Sequence, residues 1–95
     1  MQIRWEEDAV DDLQSLYGYI EKDNPAAAEK VAKKTLSFVD LLLDHPLLGK
    51  AGRIHKTREL VVTGTPYTVV YLAEFEAITL LRIFHQRQSW TTLRY

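Results

Sequence analysis

The side chains that could transfer a proton or hold a phosphate lie mostly in the second half of this 95-residue chain. Histidine changes its charge near neutral pH, so His85 is a candidate general acid or base. Arginine binds phosphate oxygens through paired N–H donors, which makes Arg58 and Arg82 its candidate partners in cleaving a phosphodiester. A second group of cationic and aromatic side chains could contact a target: Arg53, Lys56, Arg87 and Trp90.

Each of these residues also has a structural interpretation. His85 shares its predicted strand face with a leucine and an isoleucine, which favours a packed histidine over a reactive one. Arg82 could form an ion pair, with Glu59 as a candidate partner. Arg87 could stack on Trp90, or that indole could cover part of the core.

The sequence lacks the residues that several other kinds of site require. The chain has no cysteine, and its three histidines do not have the spacing of a helical zinc motif, so no metal site is expected. No glycine-rich phosphate loop is present, and no cofactor is expected. No apolar run approaches the roughly 20 residues of a membrane span, and the start does not resemble a signal peptide. These features predict a single cytoplasmic domain without a membrane partner.

The charge distribution is uneven although the net charge is only −1. Residues 1–48 carry ten acidic and five basic residues, whereas residues 49–95 carry seven basic and three acidic residues. The second half is therefore the part suited to an anionic partner. Its excess of positive charge is modest for a protein that binds a nucleic-acid backbone, because each neutralised phosphate adds to affinity by counterion release.

The hydrophobic pattern predicts a short strand and then two helices. Apolar residues recur at helical spacing between Ala9 and Ile20, and Asp11 and Asp12 are assigned to the solvent face. Asn24 followed by proline is typical of a capped second helix. That helix should end near Asp44, because the residue before a proline avoids the helical conformation. The short connection predicts an antiparallel helical hairpin.

After a loop over residues 45–57, the pattern changes to three strands over residues 58–63, 67–73 and 77–84. The connections between the strands have hairpin length. Arg58 would then be a charged residue at a strand edge. The predicted fold is α+β, in the order β-α-α-β-β-β, with a three-stranded antiparallel sheet behind the helical hairpin.

Both faces of the predicted sheet are apolar. In the last strand, Ile78, Leu80 and Phe84 are assigned to one face, and Leu81 and Ile83 to the other. Two helices cover one face, so the second is expected to be open and to bind a partner. The alternatives are that the helices cover both faces or that the chain dimerises.

Several short stretches together match one family in order and spacing. They are Trp5, Ala9 and Asp12-Leu13; Tyr19-Ile20 and residues 24–28; Pro46, residues 48–50 and Gly52-Arg53; residues 57–62, residues 65–67 and Val70-Tyr71; and residues 81–85 with Arg87 and Trp90. Over about residues 2–90 the chain resembles the ParE/RelE superfamily of bacterial toxin–antitoxin systems, and within it the ParE-like branch.

The resemblance implies a cognate antitoxin, a small DNA-binding protein whose flexible tail wraps the toxin. A disordered tail that folds on binding can cover a wide surface. The residues expected to contact the antitoxin are Arg58, Tyr67, Val70, Tyr71 and Arg82.

The superfamily divides by target: ParE-like members inhibit DNA gyrase by binding, and RelE-like members cleave mRNA on the ribosome. Nuclease branches usually carry a late histidine-tyrosine pair or a late tyrosine, whereas here Gln86 follows His85 and Tyr95 is terminal. We therefore expect a gyrase inhibitor without catalytic residues. Ribosome-dependent mRNA cleavage by Arg58, Arg82 and His85 is the alternative, and an inactive binding-only relative is a third possibility.

Overall fold

The computed structural model describes residues 1–88, which form two helices beside one mixed sheet. The elements are β1 (Gln2–Trp5), α1 (Glu7–Glu21), α2 (Pro25–Asp44), β2 (Lys50–Ala51), β3 (Arg58–Val61), β4 (Tyr67–Ala73) and β5 (Ala77–His85). Within residues 1–88 the sheet has five strands in the order β1-β5-β4-β3-β2. The α+β class and the predicted element order are confirmed. The sheet is wider than predicted because β1 joins β5 in parallel and β2 extends the opposite edge.

The helical hairpin forms where the sequence signals predict it. The Asn24 side chain accepts a hydrogen bond from the Ala27 N–H at 3.0 Å, and Pro25 occupies the first helical position. The second helix ends at Asp44, before the predicted His45-Pro46 stop. The apolar stripes of the two helices face the sheet and bury Ala9, Leu16, Ala28, Val39 and Leu42.

One error in the predicted strand faces has a local cause. Ile78, Leu80 and Ile83 all belong to the core between sheet and helices, although residues three apart on a regular strand point to opposite faces. The pairing shifts here, because Val70 pairs with Arg82 and the next residue, Tyr71, pairs with Leu80. The extra residue in β5 forms a β-bulge, which returns Ile83 to the helix side and places Phe84 on the other side.

The expectation of an open apolar face is wrong at its centre. Val70 has no exposed surface and Phe84 is 3% exposed, although both alternate with core residues and so face away from the helices. Glu59 pairs with Val70 and is also buried. Its carboxylate accepts the Arg53 N–H at 2.9 Å, because the loop before β3 folds back over this side of the sheet.

In the part of the chain that the structure describes, neither helix is long and apolar enough to cross a membrane.

Candidate partner-binding site

The loop between α2 and β3, residues 45–57, here called the central loop, is held by side chains from the sheet. The Tyr71 hydroxyl donates to the Pro46 carbonyl and accepts the Gly49 N–H, both at 2.9 Å. The Arg58 guanidinium donates to the Gly49 carbonyl at 2.7 Å and to the Leu47 carbonyl at 3.4 Å. Two residues expected to contact the antitoxin therefore bind the chain's own backbone.

The far part of the central loop forms a compact turn. The Thr57 hydroxyl donates to the Ile54 carbonyl at 2.6 Å, and the Gly52 N–H donates to the Thr57 carbonyl at 2.8 Å. Lys56 has a φ of 69°, a left-handed conformation that is uncommon outside glycine. Five basic or titratable residues are exposed on the central loop: His45, Lys50, Arg53, His55 and Lys56.

The Arg82 side chain binds α1. Its Nε lies 2.7 Å from Asp12 Oδ2, and its Nη2 donates to Asp12 Oδ1 at 3.1 Å. Asp12 Oδ2 also accepts the Ile83 N–H at 2.8 Å. Arg82 therefore pairs with Asp12, whereas the partner suggested from the sequence, Glu59, accepts the Arg53 N–H. The assignment of Asp12 to the solvent face is wrong. Each side chain is only 17% exposed, so the pair fixes α1 on the sheet.

His85 lies at the end of β5, opposite Tyr67. The two rings meet edge to face, with centroids 5.4 Å apart. His85 Nδ1 accepts a hydrogen bond from the backbone N–H of Arg87 at 3.1 Å. The backbone N–H of His85 donates to Gln88 Oε1 at 2.7 Å.

A pocket of about 470 Å³ opens beside His85, between α1 and the end of the sheet. Tyr19, which is 70% exposed, stands on its wall, and Tyr67 and Ile83 contribute apolar surface. Arg87 is at its rim. Tyr19 was not among the predicted site residues, because a tyrosine on a helix carries no signal of where the helix packs.

A smaller pocket of about 170 Å³ lies on the sheet side facing away from the helices. Lys50, Arg53 and His85 line it together with the buried Glu59. The central loop and the end of β5 therefore bring two cations and a histidine to one place.

The three residues proposed for a nuclease do not assemble into one cluster. Arg58 pairs with Tyr71 in the sheet and His85 pairs with Tyr67, four residues along the same strand. At about 3.3 Å per residue, Tyr71 and Tyr67 are about 13 Å apart along β4, and β4 itself lies between the strands of Arg58 and His85. Arg58 is also engaged with the central loop and Arg82 with Asp12.

The other predicted site residues divide between interior and surface. Tyr67, Val70 and Tyr71 are 7%, 0% and 0% exposed, so the last two offer no surface for an antitoxin in this conformation. Arg53, Lys56 and Arg87 are exposed. Trp90 and Tyr95 lie outside the described residues. Among residues 1–88 no group of three His, Asp or Glu side chains is placed to hold a metal ion.

The two buried tyrosines differ in electrostatic surroundings. Burial raises the pKa of the Tyr67 hydroxyl, and the neighbouring Tyr19 raises this pKa further. Burial also raises the pKa of Tyr71, although the Gly49 N–H and the Arg58 cation act in the opposite direction. Both hydroxyls therefore stay neutral well into alkaline solution.

Comparison with known proteins places this fold in a family. Residues 3–90 match the family of the ParE toxin of the type II toxin-antitoxin system, parDE. The putative toxin Y4kP of Sinorhizobium fredii is 38% identical over 89 residues, which cover 94% of this chain and 92% of the relative. Toxin RelE2 of Caulobacter vibrioides is 31% identical over 84 residues, covering 88% and 93% of the two chains.

A solved structure, titled as a chromosomal ParDE TA system from P. aeruginosa, has the same fold. Its TM-score is 0.81 at 22% identity, and the match covers 90% of this chain and 95% of that chain. The chain belongs to the ParE toxin family, which confirms the resemblance seen in the sequence. A toxin of this class implies an antitoxin partner.

Proposed function

We propose that this toxin arrests growth by binding DNA gyrase, and that its cognate antitoxin prevents this. The observation that supports binding over catalysis is that Arg58 and His85 are far apart in the sheet, while Arg58 and Arg82 are engaged within the chain. Phosphodiester cleavage needs an acid, a base and cations around one phosphate. Two of these three residues are instead engaged with the central loop and with α1.

The central loop supplies the target contact in this proposal. Lys50, Arg53 and Lys56 are exposed on a turn held by the sheet, and no acidic residue lies within residues 45–57. A cluster of like charges accelerates encounter with an oppositely charged surface and selects against like-charged ones.

The antitoxin contact is proposed at the pocket beside His85. Tyr67, one of the predicted antitoxin residues, reaches the pocket from the sheet, and the exposed Tyr19 stands on the other side. A large apolar side chain from the antitoxin tail would gain affinity there by displacing water from both rings.

Purified gyrase tests the target. Wild-type toxin is expected to inhibit supercoiling, and the variant Lys50→Gln/Arg53→Gln/Lys56→Gln is expected to lose at least tenfold in potency. The matched control is Lys22→Gln/Lys30→Gln/Lys33→Gln, which removes the same charge from exposed positions on the helical hairpin. No inhibition by stoichiometric wild-type toxin would reject the gyrase proposal.

One observation favours mRNA cleavage as the second candidate. His85 shares the smaller pocket with Lys50 and Arg53, so a proton-transfer group and two cations do meet there. Primer extension on translated message tests this function. If His85→Ala leaves growth arrest intact in a folded protein and no cleavage sites appear, the nuclease candidate fails.

A further inference from the structure

The central loop is held from both sides of the sheet by neighbouring residues of one strand. Arg58 and Glu59 are consecutive on β3, so their side chains point to opposite faces. Arg58 holds the Gly49 carbonyl on one side, and Glu59 holds the Arg53 N–H on the other. The central loop therefore wraps the edge of β3, and β2 pairs with β3 between these two contacts.

Tyr71 fixes the beginning of the central loop from within the core. Its side chain is fully buried, yet its hydroxyl both donates to and accepts from the loop backbone. Gly49 is seated so closely that an added Cβ would lie 2.8 Å from both the Glu59 carbonyl oxygen and the Tyr71 ring. Even one extra carbon would therefore displace the loop.

These contacts lie under the part of the chain that carries the exposed cations. Lys50 is the residue after Gly49, and Arg53 is itself the residue whose N–H is held by Glu59. Glu59 is buried and lines the smaller pocket together with Lys50 and Arg53, and Lys56 is exposed on the turn that follows. A loop ordered before binding loses less conformational entropy on binding than a free loop does.

We propose that Tyr71, assisted by Arg58 and Glu59, is a positioning residue that presents the central-loop cations to an acidic protein surface of the target. The inference rests on the proposed function, because it takes the central loop as the target contact. It reassigns Tyr71 and Arg58 from antitoxin contact to loop support. Neither residue touches the target in this arrangement.

Two tyrosines offer a matched pair of variants for the test. Tyr71→Phe removes one hydroxyl and two hydrogen bonds. Tyr17→Phe removes a hydroxyl from α1, outside the central loop and outside both pockets described above, and that hydroxyl has no hydrogen bond to the residues the structure describes. Potency is measured as the toxin level that halves growth of expressing cells, and as inhibition of purified gyrase.

Tyr71→Phe is expected to lose about tenfold in potency, and Tyr17→Phe less than about twofold. In a background of Lys50→Gln/Arg53→Gln/Lys56→Gln, Tyr71→Phe is expected to cause no further loss, because there is no charge left to position. Faster hydrogen exchange at the Gly49 amide would accompany the release of the loop. Arg58→Ala removes a different contact to the same loop. It is also expected to lower potency in the native loop and to cause no further loss in the neutralised loop.

Three results would overturn the inference. The first is wild-type potency in both Tyr71→Phe and Arg58→Ala, and the second is an equal loss of potency from Tyr71→Phe with the native loop and with the loop whose cations are replaced. The third is full potency of the toxin in which the three loop cations are replaced. Growth arrest without any effect on gyrase would instead reject the proposed target. The growth readout still decides whether the loop is positioned, so the two failures are distinguishable.

Discussion

Tyr71 and Tyr67 lie four residues apart on the helix-facing side of one strand, yet the two ends of that strand are built differently. At the Tyr71 end, the Tyr71 hydroxyl and the Arg58 guanidinium bind the backbone of the central loop. At the Tyr67 end, the ring borders an open pocket beside His85 and the exposed Tyr19. One end of the sheet is closed by its own chain, and the other borders an open pocket.

The comparison also separates two arginines that look alike in sequence. Arg58 holds carbonyl oxygens of a loop, and Arg82 holds a carboxylate on a helix 70 residues away in sequence. In both cases the cation is bound within the chain. A basic residue on a strand is therefore a poor indicator of a nucleic-acid contact until its internal partners are known.

The largest effect is expected from breaking the attachment of α1 at the Tyr67 end. Asp12→Ala leaves the Arg82 cation and the Ile83 N–H without their carboxylate, and should lower the free energy of unfolding by about 3 kcal/mol. Urea denaturation followed by circular dichroism measures this. Asp11→Ala, at an exposed neighbouring position, is the control. Equal stability of the two variants would contradict a structural role for the ion pair.

The next effect compares the two tyrosines directly. Tyr71→Phe leaves the buried Gly49 N–H without its acceptor, so the free energy of unfolding should fall by about 2 kcal/mol. Tyr67→Phe should change it by less than about 0.5 kcal/mol. The same denaturation measurement applies to both variants. Similar values for the two would show that the ends of β4 do not differ as described.

A smaller effect is expected from removing the imidazole. His85→Ala loses the edge-to-face contact with Tyr67, which should cost about 1 kcal/mol in the free energy of unfolding. Under the gyrase proposal it should leave growth arrest within about twofold of wild type. Loss of arrest in a variant that stays folded would favour the nuclease.

The smallest effect concerns alkaline pH. The pKa values of Tyr67 and Tyr71 are raised in the folded protein above the ordinary 10.0, so the native state holds these protons more tightly than the unfolded chain does. Their contribution is fully present below pH 10, and the free energy of unfolding should decline as the pH rises above 10 towards the folded pKa values. Each Tyr→Phe variant should make that decline shallower. Stability titrations from about pH 8 to about pH 11 measure it, and identical slopes in wild type and both variants would contradict the prediction.

Patterns among residues close in sequence were enough to predict the helical hairpin and strands β3, β4 and β5. Asn24 accepts a hydrogen bond only three residues away, and Pro46 constrains the residue before it, so the ends of the second helix follow from local chemistry. The alternation of apolar residues located β3, β4 and β5 to within a few residues. The family resemblance rests on residue types and their order along the chain, so it too follows from the sequence.

The tertiary structure decided which side chains meet. The bulge in β5 reversed the assigned face of Ile83, the pairing of β1 with β5 joined the two ends of the described chain, and Asp12 found Arg82 across the fold. Each of these depends on register between distant segments, and a shift of one residue in a strand exchanges its two faces. Residue types and their spacing determined the elements, because those forces act within a few residues. Which basic side chains bind within the chain and which are exposed depends on the register and packing of the whole sheet. No short stretch of sequence determines that packing.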